Sequence, residues 1–155
     1  MDTGEGAEGR GWAPATVAAS VGLVLALPVT VWWVVGAVTA DPDVVDPDYA
    51  VRPPSSEVTA LLGTVSLTLV VLCGIVVLQA VQRGTFDARW WTALAPALVA
   101  GVGAGAAWAV ITAPSIGANI GAGFALLLGG PLVAGLLLWS AGCAIWLLWT
   151  GGRRP

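Results

Sequence analysis

The chain has 155 residues, of which 57% are hydrophobic and only 10% charged, with a mean hydropathy of +0.88. Soluble domains carry about 25% charged residues, so this composition points to a lipid environment. The basic residues are six Arg with no Lys or His, the net charge is −3, and no basic face exists for nucleic acid.

Residues 1–12, with "MDTGEGAEGR" rich in Gly and acids, are expected to form a disordered tail. The first long apolar run, residues 13–40, contains no ionisable side chain. A membrane core about 30 Å thick needs roughly 20 helical residues, so this run suffices for a crossing. A cleaved leader is disfavoured, because the start is acidic and the run is nearly twice the usual apolar length of about 7 to 15 residues. Pro28 is expected to kink this helix.

The loop at residues 41–57 holds Asp41, Asp43, Asp46, Asp48, Arg52 and Glu57. Its "DPDVVDPD" concentrates carboxylates as a hard cation would want, but a calcium loop fails on spacing: Val45 takes the third ligand position and Asp46 the glycine position. Pro42 and Pro47 also favour extended backbone at Asp41 and Asp46, which spreads the acids. Asp41, Asp43, Asp46 and Asp48 are therefore only weak metal candidates, and a solvated acidic loop without metal or cofactor is expected.

The second run, residues 58–81, carries a polar stripe. At about 100° per residue, Glu57, Thr64, Thr68, Ile75, Gln79 and Gln82 fall within about 60° of one another. That face is expected to point into protein. It reads first as glue, since Thr and Gln hydrogen bonds between membrane helices contribute roughly 0.6 kcal/mol each, and second as the lining of a pathway.

After the connector "QRGTFDAR", the third run covers residues 90–113, with Pro96 near its start. Within it Ala97, Gly101 and Gly105 follow the small-xxx-small spacing that lets helix backbones approach, within the chain or between chains. "GVGAG" is not a nucleotide-binding loop, because no strand precedes it. The uncharged "PSIGANIGA" reads as a short external turn before the fourth run, residues 123–149, in which Pro131 is expected to add a kink. Residues 150–155 form a tail with Arg153 and Arg154.

Arg counts set the expected orientation. With both termini cytoplasmic, Arg10, Arg83, Arg89, Arg153 and Arg154 lie inside and Arg52 alone outside. The acidic loop then faces the positive side of an energised membrane, favoured by roughly 2.3 kcal/mol per charge per 100 mV. Trp12, Trp90, Trp91, Trp146 and Trp149 mark the inner interface, Trp32, Trp33 and Trp108 the outer one, and Trp139 lies deeper, as a packing residue.

Cys73 and Cys143 each lie ten residues before an Arg, at similar depth, so they could bridge only if their helices touch. The plain reading is two small buried hydrophobes. Shifting the second run by seventy residues aligns Leu62 with Leu132, Cys73 with Cys143 and Arg83 with Arg153, a weak sign of two hairpins in the same direction.

With no His, no nucleophile beside a base and no ligand cluster, the groups that acid-base, covalent or zinc catalysis needs are missing, and no catalytic or cofactor-binding residue is assigned. Small drug exporters share the helix count but carry an acid in the first helix, which this chain lacks, so proton-coupled export is disfavoured.

The expected protein is an all-α integral membrane protein of four antiparallel transmembrane helices, multi-pass, with Arg-only, Ala- and Gly-rich usage suggesting the plasma (inner) membrane of a GC-rich bacterium. The expected partners are the lipid bilayer and a membrane protein or a second copy of the chain. The leading role is a non-catalytic accessory or structural subunit. The alternatives are an oligomeric transporter or channel component using the stripe, and a surface enzyme using Asp48 and Glu57.

Overall fold

In a bilayer the backbone must satisfy its own hydrogen bonds, and four uncharged apolar runs can do so only as helices. The computed structural model describes residues 14–39, 49–114 and 118–151, and helices occupy most of them. The chain is a four-span helical membrane protein: Pro14–Val38, Ser56–Gln82, Ala88–Thr112 and Ile120–Thr150 are each long and apolar enough to cross. Asp41, Asp43, Asp46 and Asp48 lie outside the described residues, as do Trp12 and the terminal Arg pair.

Local sequence explains where the helices start and stop. Helix α1, Pro14–Thr39, begins with proline at its first position, where a missing N–H costs nothing. Helix α2, Ser56–Gln82, follows Pro53 and Pro54 and carries Glu57 in its first turn, where the helix dipole favours an acid. It ends at Gly84, whose φ of 66° is in the left-handed region. There the Arg83 and Gly84 N–H groups donate to the carbonyls of Gln79 and Val81 at 2.9 and 3.1 Å, and the Thr85 hydroxyl donates to Ala80 O at 3.0 Å. Asp87 then accepts from Arg89 N at 3.0 Å, capping a 3-10 turn, Ala88–Trp90, that leads into α3, Trp91–Thr112.

The fourth span is composite. Helix α4, Ala118–Phe124, passes through a π-helical turn, Ala125–Gly129, into α5, Gly130–Gly151. Pro131 has no N–H to give and its ring would press on the carbonyl four residues earlier. Widening the preceding turn to π geometry relieves both, so the disturbance expected at Pro131 takes this form.

The helices form a row in the order α2, α1, α3, α5, with contacts between neighbours: α1 with α2, α1 with α3, and α3 with α5. Helices α1 and α3 run parallel, since Ala19 clusters with Leu94 near one end and Trp32 bonds Thr112 near the other. The flanking pairs are antiparallel. Gly22 meets the Cys73 sulfur on α2, while Trp33 meets Gly63; on the other side Ala93 meets Ser140 and Gly103 meets Val133. Each hairpin thus places its first helix inside and its second at an edge, the order two same-direction hairpins give about an axis along the membrane normal.

Phe86 fills the wedge between α1, α2 and α3 at the end bearing the α2–α3 turn. It is buried with Ala19, Val77, Ala80 and Leu94, and its ring lies 5.4 Å from that of Trp91.

The row settles two expectations. Cys73 and Cys143 are free thiols on the two edge helices, which make no extensive contact, and Cys73 is half-buried against Gly22. Trp139 does not pack within the chain: it is 65% exposed on the outer face of α5. Its indole sits among other exposed apolar side chains such as Leu138, an arrangement that suits lipid as solvent.

Candidate functional site

The small-residue triplet of α3 lies within the chain. Ala97, Gly101 and Gly105 are all buried against α1. A Cβ on Gly101 would touch the Pro28 ring at 3.5 Å, whereas one on Gly105 would collide with the Pro28 carbonyl oxygen and stand 2.8 Å from Val31 Cβ. The bend-prone Pro28 and the smallest side chains of α3 therefore meet, bringing two backbones together as small residues do in membranes.

The polar stripe takes no part in packing within the chain. Glu57, Thr64, Thr68, Gln79 and Gln82 are all exposed, on the side of α2 turned away from α1. The face that enters the row carries Gly63, Ser66, Cys73, Val77 and Ala80 instead. Small volume decides this, because an apolar side chain is as content in lipid as in protein and only close approach rewards one face over another. Thr64 and Thr68 each donate to the carbonyl four residues earlier, Ala60 O at 2.9 Å and Thr64 O at 2.8 Å. Their hydroxyl protons are thus accommodated while the oxygens still accept.

A feature the sequence did not single out lies where α1 and α3 end and α2 begins. The Trp32 indole N–H donates to the Thr112 hydroxyl at 3.0 Å, and that hydroxyl donates to Trp108 O at 2.8 Å. The loop entering α2 crosses this junction and is tied to it by Val51 N donating to Ile111 O at 3.3 Å. Under the loop is an open cavity of about 430 Å³, lined by Trp32, Trp33, Tyr49, Pro53, Thr59 and Thr112 among others. The Thr59 hydroxyl on its wall donates to Pro54 O at 3.3 Å.

A second, almost wholly apolar groove of about 640 Å³ runs between α1 and α5 across α3 at the opposite end, past Val21, Leu25, Trp90 and Leu148. Its two hydroxyls are committed, Ser20 to Thr16 O at 2.9 Å and Ser140 to Ala93 O at 2.7 Å.

No family model, curated protein or solved structure matches the chain. Among the described residues no group of His, Cys, Asp or Glu is placed to hold a metal ion. The signal that could have revealed the aromatic cavity is the pair Trp32 and Trp33 at the end of one span, facing a Thr at the end of another and a "RPP" turn.

Proposed function

We propose that this four-span membrane protein is a non-catalytic accessory or structural subunit that acts by helix association through the outward face of α2. The observation that carries this reading is the position of the stripe. Helix α2 has one neighbour in the row, and the side carrying Glu57, Thr64, Thr68, Gln79 and Gln82 is turned away from it. Lipid gives Thr68 and Gln79 nothing to bond, whereas a helix from a partner or a second copy does.

On this reading the protein sits in the plasma membrane of a bacterium with both termini cytoplasmic. The positive-inside distribution of its Arg residues supports that orientation. The acidic loop and the aromatic cavity are then on the outer side.

A second reading, an oligomer that encloses a pathway along the same stripe, is favoured by the continuity of the stripe from Glu57 to Gln82. The combined variant Thr64→Leu, Thr68→Leu, Gln79→Leu separates the two. None of these side chains is buried in the row, so the fold is expected to survive and thermal stability in detergent to stay within about 0.5 kcal/mol. At about 0.6 kcal/mol for each lost hydrogen bond, association should weaken roughly twentyfold. Native mass spectrometry of the protein released from its own membrane in mild detergent reads the result. Loss of a bound protein that accompanies the wild type supports association, and retained assembly with lost solute flux supports the pathway.

A further inference from the structure

The cavity under the α2 entry loop has the size of a small-molecule site, and its chemistry selects the charge of its occupant. Two indoles and a phenol, from Trp32, Trp33 and Tyr49, line it together with the hydroxyl-bearing Thr59 and Thr112. It opens where α1 and α3 both end, with Gly36 and Ala37 from one and Thr112 and Ala113 from the other on its wall. Helix C-termini present unpaired carbonyls equivalent to about half a negative charge each. The N-terminus of α2, on the cavity wall at Ser56, carries Glu57 in its first turn, which offsets its positive end. Four aspartates, Asp41 to Asp48, immediately precede Tyr49 in the chain, against the single Arg52.

Negative potential and electron-rich rings favour the same ligand. An anion would meet two helix C-termini, and a small inorganic cation would have to exchange a tightly held hydration shell for ring faces and two hydroxyls. A large, weakly hydrated organic cation has neither difficulty, because it gives up little hydration and is attracted to aromatic faces. The geometry points to a binding site for a quaternary ammonium group, carried by a free small molecule or by a lipid headgroup, held among Trp32, Trp33 and Tyr49. The inference is independent of association through α2, whose stripe does not line the cavity.

The Trp32 indole N–H, fixed on Thr112, is both part of the wall and a spectroscopic probe. The full chain, labelled with 15N-tryptophan and held in phosphatidylglycerol nanodiscs, is titrated with choline and, separately, with its uncharged isostere 3,3-dimethylbutan-1-ol. The Trp32 resonance is assigned by its disappearance in Trp32→Phe. Choline is expected to shift it saturably and to bind about tenfold or more tightly than the alcohol. Tyr49→Leu, in the loop and outside the helix contacts, is expected to weaken choline about fivefold while the ligand-free resonance keeps its position.

Equal affinity for choline and the alcohol, or a Trp32 resonance unmoved by choline at any concentration, overturns the assignment. Nanodiscs of phosphatidylcholine identify the source. A resonance already displaced there without choline supports the site and names the lipid headgroup. A resonance that still responds only to added choline supports the site and names the free cation.

Discussion

Replacing Gly105 with alanine is expected to destabilise the protein by about 3 kcal/mol, although it adds only one methyl group. The new Cβ would collide with the Pro28 carbonyl oxygen and crowd Val31 Cβ and the Trp32 nitrogen. Two of these three obstacles are backbone atoms of α1, and a helix backbone cannot turn aside as a side chain can. Relief requires α1 and α3 to separate, which also withdraws Trp32 from Thr112. Gly101→Ala, by contrast, brings its methyl to 3.5 Å from the Pro28 ring, ordinary contact, and should cost little.

Gly74→Ala and Gly142→Ala provide the control, since nothing lies within 4 Å of either added Cβ. Both should be neutral or stabilising by up to about 1 kcal/mol, because alanine is the better helix former. Unfolding of the four variants in mixed micelles by increasing denaturing detergent gives the ranking. Equal stability of Gly105→Ala and Gly74→Ala would show that α1 and α3 do not meet at Pro28.

Gly63→Val is expected to open the other central contact, between α1 and α2. The Trp33 indole occupies the space in which a Cβ on Gly63 would lie, so a valine must expel a rigid bicyclic ring. The loss should reach about 3 kcal/mol, as expected for overpacking by a branched side chain. It has a local readout, because Cys73 is covered by α1 at Gly22 nearly three turns farther along the same seam. Labelling of Cys73 by N-ethylmaleimide should accelerate roughly tenfold or more, as about 1.4 kcal/mol of easier opening suffices for that factor. Labelling of Cys143, on the far edge of the row, should not change. Acceleration of both thiols alike would mean general unfolding instead of separation of α1 from α2.

The four spans were legible because hydrophobic length alone decides a crossing, and residues 58–81 or 90–113 admit no other structure in lipid. The triplet Ala97, Gly101 and Gly105 was legible by spacing, since small side chains four residues apart are a cue that does not depend on polarity. The direction of α2 was not. In water the polar face of a helix turns outward and the apolar face inward, but a bilayer removes that contrast. The inward face of α2 is marked by size, at Gly63, Ser66, Cys73 and Ala80, and the more conspicuous Thr and Gln stripe faces out.

Partners distant in sequence were equally hidden. Trp32 and Thr112 are eighty residues apart, and their pairing depends on α1 and α3 lying side by side and parallel, which needs the order of the row. The π-helical turn at Ala125–Gly129 was visible only as Pro131, a residue that disturbs a helix without stating how.

On the proposed reading α2 meets another protein along the side carrying Thr68. The direct test installs the photo-reactive residue p-benzoylphenylalanine in place of Thr68 and, as a control, in place of Leu138, which is 75% exposed on the opposite edge of the row. Both proteins are irradiated in their native membranes. A protein adduct of one defined mass is expected from position 68, either a second copy of this chain or one partner, and none from position 138. Lipid adducts alone at both positions would contradict it.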